Sequence, residues 1–75
     1  MIRWKLEDYL NTHNITAYAL MKATGLAPAT TYRMARGKGN QIKLETLDVV
    51  IKALEEMTGK KVSVCDILEY ERKEG

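Results

Sequence analysis

Five basic side chains in the middle of the chain have the types and spacing for binding chemistry. Arg33, Arg36 and Lys38 follow one another closely, Lys22 precedes them and Lys43 follows. A guanidinium donates paired hydrogen bonds to a phosphate or a guanine edge, and an ammonium supplies a point charge. No Asp or Glu occurs over the 36 residues 9–44, which carry +5, whereas the remainder holds seven basic and ten acidic residues. This two-sided charge favours an anionic partner.

The motifs of catalysis and metal binding do not occur. His13, the single histidine, has no Cys or carboxylate at ligand spacing, so we expect a helix-end residue. There is no nucleophile elbow, P-loop, dinucleotide fingerprint or paired-carboxylate motif. Cys65, the single cysteine, excludes an intramolecular disulfide, is typical of a reducing compartment and is expected in the core. We therefore expect no enzyme, cofactor, metal or small-molecule ligand.

The length and hydropathy of the chain predict a cytoplasmic domain. At 75 residues there is room for one domain, 1–75. No apolar run approaches the roughly 18 residues of a membrane span. The N-terminal stretch MIRWKLED also lacks the apolar segment of a signal peptide. We expect no membrane association.

Apolar periodicity and capping residues predict an all-α fold. Thr16 caps a helix over about 17–24 that ends at Gly25, and Pro28 begins one over about 28–36 that ends at Gly37. Others are predicted at about 5–13, at about 44–58 and, capped by Ser63, near 63–68. The fourth and longest follows an apolar stripe: Leu44, Leu47, Val50, Ile51, Leu54 and Met57. The result is a compact bundle of four to five short helices.

Both chain ends alternate apolar and charged residues, which is typical of strands. Ile2 and Trp4 alternate at one end, and Leu68, Tyr70 and Arg72 at the other. We expect residues 2–4 and 69–72 to pair as a small β-ribbon, within one chain or between two.

The second and third predicted helices are joined by about four residues around Gly25, the layout of a helix-turn-helix. The stretch TAYALMKATGLAPATTYRMARGK, residues 16–38, resembles the lambda repressor/Cro (XRE) helix-turn-helix family. The framework matches, in a likeness that extends over residues 5–68, are Leu20, Gly25, Leu26, Thr30, Met34, Arg36-Gly37-Lys38, Leu47 and Ala53-Leu54. The resemblance implies five short helices around one core, with the third in the DNA major groove.

The predicted DNA contacts follow from this placement. In a helix over 28–36, Met34 together with Thr30 or Thr31 faces the core. Base contacts are expected from Arg33 first, whose guanidinium fits guanine O6 and N7, and from Ala29, Pro28 and Tyr32. Phosphate contacts are expected from Thr16, Thr30, Thr31, Arg36, Lys38, Asn40 and Lys43.

Departures from the family pattern bear on specificity. Ala17 replaces a glutamine often found near the start of the second helix, and Ala27 replaces the usual capping Ser or Thr of the third. Pro28 and Ala29 stand where polar base readers are common. Few hydrogen-bonding base readers remain, so we expect modest specificity that leans on DNA shape and apolar contacts.

Two other functions remain open beside a DNA-binding repressor. The favoured function is a homodimer on a pseudo-palindromic double-stranded site, with dimer contacts from the C-terminal region or the terminal strands: Trp4, Val62, Val64, Leu68 and Tyr70. The second is a protein-interaction or antitoxin-like module that binds a protein through the apolar start of the third helix. The third is a structural subunit whose basic face meets an acidic protein. Steep salt dependence distinguishes DNA binding from the others.

Overall fold

The computed structural model describes residues 1–38 and 41–72. Its elements in chain order are β1 (Ile2–Trp4), α1 (Leu6–Thr12), α2 (Ala17–Thr24), α3 (Pro28–Ala35), α4 (Leu44–Thr58), α5 (Val64–Ile67) and β2 (Leu68–Tyr70). The predicted all-α bundle with a terminal β-ribbon is confirmed, and the predicted helix boundaries agree within about two residues. Within the described residues, no helix is long and apolar enough to cross a bilayer.

Local capping interactions set where α1 and α2 begin and end. Asn14 adopts a φ of 56°, and the amides of Asn14 and Ile15 donate back to the carbonyls of Asn11 and Leu10, which closes α1. The hydroxyl of Thr16 accepts the amide of Ala19 at 3.0 Å at the start of α2. Interactions between residues close in sequence therefore determine where α1 ends and where α2 begins.

The core forms where all five helices meet. Its largest fully buried apolar side chains are Leu6, Leu20, Val50, Leu54 and Ile67, one or two from each helix except α3. From α3 come Met34 and Ala35, which are also buried. Helix α2 packs against both α3 and α4, and α1 packs against α3 and α5. The core thus fixes α3 on one side and leaves its other side to solvent.

Burial contradicts the expectations for Cys65 and Val62, and the apolar stripe of α4 is buried only in its middle part. Leu44 is 82% exposed and Met57 39% exposed, because these residues lie near the two ends of α4, beyond the reach of the core. Cys65 is exposed, since α5 is a single turn that buries only Ile67. Val62, expected at a dimer contact, is instead buried.

The β-ribbon forms within one chain. Strands β1 and β2 pair antiparallel with the register Ile2↔Tyr70, Arg3↔Glu69 and Trp4↔Leu68. The Arg3 guanidinium lies 2.7 Å from the Glu69 carboxylate, and this hydrogen bond lowers the pKa of Glu69 and raises that of Arg3. Cross-strand pairing thus joins the two ends of the described chain.

Candidate nucleic-acid interface

Helix α3 presents a continuous exposed face opposite its buried one. It begins with Pro28 as its first residue, and its N-cap residue, Ala27, makes no side-chain cap. The side chains of Pro28, Ala29, Thr30 and Arg33 are exposed, and Tyr32 is half-buried. The residues predicted to touch bases therefore lie on or beside one surface of the helix.

The structure removes Thr31 from the predicted phosphate contacts. Its side chain is fully buried, and its hydroxyl donates to the carbonyl of Ala27 at 3.1 Å. Thr30, the neighbouring residue, is exposed. The sequence left open which threonine faces the core, and the packing of α3 on α1 and α2 selects Thr31.

The turn between α2 and α3 is held by one threonine and one glycine. The Thr24 hydroxyl donates to the carbonyl of Leu20 at 2.9 Å and accepts the amide of Leu26 at 3.3 Å. Gly25 has a φ of 73°, a left-handed conformation that glycine adopts without a steric penalty. These contacts fix the direction in which α3 leaves α2, and with it the direction of Arg33.

The end of α3 is a Schellman motif that places the next two cations. The amide of Gly37 donates to the carbonyl of Met34 at 3.0 Å, and that of Lys38 to the carbonyl of Arg33 at 2.9 Å. Gly37 takes a φ of 71°. Arg36 and Lys38 flank this glycine and are both exposed.

The other predicted phosphate contacts are distributed around α3. Lys43 is exposed at the N-cap of α4. Thr16 is exposed at the N-cap of α2, where its oxygen already accepts one amide, although its O–H is still able to donate. Asn40 lies outside the described residues.

No acidic side chain neutralises this surface in the part of the chain that the structure describes. The ion pairs there join Arg3 to Glu69 and Glu71, and Lys52 to Asp48. None involves the five cations of residues 9–44. The charge that the sequence places in this segment is therefore available to an anionic ligand.

Sequence reasoning missed one exposed pair on α2. Tyr18 is 54% exposed, and the Lys22 ammonium lies 5.5 Å from the centroid of its ring. A cation over an aromatic face is held in place by the ring quadrupole. The spacing of four residues between an aromatic and a basic residue is the signal that could have identified this pair.

Among the described residues, no group of His, Cys, Asp and Glu is arranged to hold a metal ion. His13 closes α1, with its ring stacked on that of Tyr9 at 4.2 Å.

Comparison with known proteins gives the family. The family model of the Cro/C1-type helix-turn-helix DNA-binding domain matches residues 5–73, which is most of the chain. Searches of curated proteins and of solved structures gave no match. The matched range includes α1 through β2, and so the whole surface described above.

Proposed function

Because the chain belongs to the Cro/C1-type helix-turn-helix DNA-binding family, we propose that this DNA-binding regulator is a sequence-preferring repressor that inserts α3 into the major groove. One observation carries the proposal. The exposed face of α3 continues into Arg36 and Lys38 at its end, and none of its cations has a carboxylate partner among residues 1–38 and 41–72. An α-helix fits the major groove, and cations beyond its end meet the phosphates on either side.

Base readout is assigned to the exposed face of α3. Arg33 reads guanine through two parallel hydrogen bonds, while Pro28 and Ala29 make apolar contacts with thymine methyl groups. Tyr32, half-buried, contacts the edge of the groove with its hydroxyl. With a single strong hydrogen-bonding reader, the specificity is modest and depends on DNA shape.

Phosphate contacts are assigned to the exposed polar residues around α3. They are Thr16, Thr30, Arg36, Lys38 and Lys43, with Asn40 proposed from the sequence alone. The Tyr18 and Lys22 pair adds to them, because the first helix of a helix-turn-helix crosses the DNA backbone. These contacts fix the register of the protein on DNA and supply most of its affinity.

Repression follows from two copies on one pseudo-palindromic site. Two α3 helices must lie about 34 Å apart to enter successive turns of one major groove. One chain measures 41 × 25 × 21 Å, so two copies placed side by side reach this separation. A homodimer bound in this way blocks other proteins from the same DNA.

A protein-interaction module is the second candidate. The exposed, apolar start of α3 at Pro28 and Ala29 favours it, since polar base readers are missing there. Such an interface would depend weakly on salt, in contrast to binding that releases counterions from DNA.

The test is fluorescence anisotropy on a pool of random duplexes, followed by selection of the best-bound sequences. We expect Arg33→Ala to weaken binding to the selected site by about 10-fold or more and to relax the base preference at one position. Lys52→Ala is the matched control, because Lys52 lies on α4 with Asp48 at 3.3 Å. Absence of DNA binding at low salt would refute the proposal and favour a protein partner.

A further inference from the structure

Two of the proposed phosphate contacts depend on the turn that follows α3. Arg36 and Lys38 flank Gly37, whose amide donates to the carbonyl of Met34, and the amide of Lys38 donates to the carbonyl of Arg33. Both basic side chains beside this glycine are exposed, so burial does not hold either of them. A long side chain also loses conformational freedom when it binds. Where these charges lie therefore depends on how firmly the backbone of the turn is held.

Strand β1 packs on this turn through Trp4. A Cβ built on Gly37 would lie 3.8 Å from the Cβ of Trp4, an ordinary van der Waals distance. Trp4 and Gly37 also line one groove together with Ile42 and Lys43, the residues that precede α4. Trp4 thus adjoins both segments that carry proposed phosphate contacts, the turn after α3 and the N-terminus of α4.

Trp4 is itself held by parts of the chain other than α3. It is partly buried and packs against the core, and it pairs with Leu68 of β2 in the antiparallel ribbon. The next residue, Lys5, donates its amide to the carbonyl of Ile67 at 2.6 Å, and Leu6 is fully buried. These contacts join β1 to the core and to β2. Trp4 therefore supports the turn from an anchor that α3 does not provide.

We propose that Trp4 is a positioning residue for DNA binding. By packing on the turn after α3, it holds Arg36 and Lys38 where they meet phosphates beside the major groove, and it makes no contact with DNA itself. Close packing supplies this support, because a turn that loses its neighbour loses contacts on one side. The inference deepens the proposed function and rests on it. It requires only one copy of the chain and is independent of any dimer contact.

A positioning role and a purely stabilising role predict different measurements. Loss of stability lowers the fraction of folded molecules, but it leaves unchanged the DNA affinity and the salt dependence of those that are folded. Loss of support for the turn instead lets the two cations move away from the phosphates. The folded protein then binds DNA more weakly and with a less steep salt dependence.

Fluorescence anisotropy across a salt series measures this difference on the selected duplex, shortened to one half-site so that a single copy binds. Trp4→Ala should weaken binding about 5-fold or more and make the slope of log K against log salt less steep by up to about 1.8, the share of two cations. Trp4→Phe should restore most of both, because an aromatic ring again packs against the core. Ile2→Ala is the matched control, since Ile2 lies on the same strand and is 68% exposed.

A double-mutant cycle shows whether Trp4 acts through the two cations. In a protein that carries Arg36→Gln and Lys38→Gln, Trp4→Ala should change the DNA affinity less than about 2-fold, because neither cation remains to be positioned. In a protein that carries Lys22→Gln, the full effect of Trp4→Ala should remain. Lys22 lies on α2, with its ammonium 5.5 Å from the centroid of the Tyr18 ring, and does not belong to the turn.

Amide hydrogen exchange, followed by NMR on the protein without DNA, tests the support of the turn directly. The amides of Gly37 and Lys38 should exchange about 5-fold or more faster in Trp4→Ala than in the wild type, and at nearly the wild-type rate in Trp4→Phe. The amide of Gly25 is the matched control, because this glycine ends α2 in the same left-handed conformation and its amide donates to the carbonyl of Met21 at 2.9 Å. Its exchange should not change.

Far-UV circular dichroism shows whether each variant folds. If Trp4→Ala does not, Trp4→Leu keeps more apolar bulk against the core and should show the same effects at smaller size.

Three results would overturn the inference. The first is equal acceleration of exchange at Gly25 and Gly37, which makes the effect of Trp4 global. The second is an equal effect of Trp4→Ala on affinity with and without the two cations. The third is an equal loss of affinity in Ile2→Ala, which assigns the effect to the whole ribbon.

Failure of the proposed function is recognised separately. A wild type that binds no duplex overturns the proposed function, and with it any role of Trp4 in DNA binding. Unchanged exchange at Gly37 and Lys38 in Trp4→Ala overturns the inference alone, because exchange is measured without DNA.

Discussion

Removing one cation at the end of α3 should change the salt dependence of DNA binding by a calculable amount. Arg36, Lys38 and Lys43 are exposed and, within the described residues, paired with no carboxylate. Each phosphate neutralised contributes about −0.9 to the slope of log K against log salt, so these three cations contribute about −2.7 per subunit, apart from any contribution of Lys22. Between about 50 and 200 mM salt, this contribution alone lowers the affinity of one subunit on a half-site about 40-fold and that of a dimer about 1,800-fold.

Fluorescence anisotropy with a labelled duplex, repeated across a salt series, measures these slopes. Arg36→Gln, Lys38→Gln and Lys43→Gln should each make the slope less steep by about 0.9 per subunit. Lys52→Gln should leave it unchanged, because Lys52 is outside the proposed surface and lies 3.3 Å from Asp48. If the three variants kept the wild-type slope, the phosphates would be neutralised elsewhere and the assignment of these cations would be wrong.

Three further predictions concern stability. Gly25→Ala should lower the free energy of unfolding in urea by about 1–2 kcal/mol, because the residue has a φ of 73°. An added Cβ would meet no atom within 4 Å, so the cost comes from the left-handed backbone alone. An unchanged unfolding midpoint would mean that the turn relaxes. Thr16→Ala should cost about 1 kcal/mol through loss of the cap to Ala19, and Thr16→Ser should restore it. Arg3 lowers the pKa of Glu69, so their pair stabilises the fold above the unfolded pKa of Glu69, and this contribution is lost as pH falls through the lower folded pKa. Unfolding midpoints at about pH 7 and about pH 3 should therefore depend less on pH in Arg3→Gln than in the wild type, and equal dependence would show that the exposed pair contributes nothing.

Much of the fold was predictable because its signals are local. Thr16 caps α2, Pro28 begins α3, and Gly25 and Gly37 end helices with positive φ, each as the sequence indicated. Each of these signals acts through bonds within a few residues, so no distant contact can easily reverse it. The family was recognisable for the same reason, since its framework residues occupy fixed positions relative to these helix ends.

Burial was less predictable, because periodicity gives a helix face but not where the core ends. Leu44 shares the apolar stripe of α4 and is nevertheless 82% exposed. Cys65 is of a residue type that is usually buried, but its position on α5 exposes it to solvent. A residue is buried only if another element lies over it, and that depends on packing between segments distant in the chain.

The sequence by itself determined a bundle of four to five helices, a helix-turn-helix and a segment of +5 charge without acids. Only the tertiary structure decided that Thr31 faces inward, that β1 pairs with β2 in the same chain, and that Trp4 packs on the turn after α3. Helix ends and charge are properties of neighbouring residues, whereas these three contacts depend on how segments pack together. The pairing of the two chain ends is what places β1 on the turn after α3, beside the proposed DNA-binding surface.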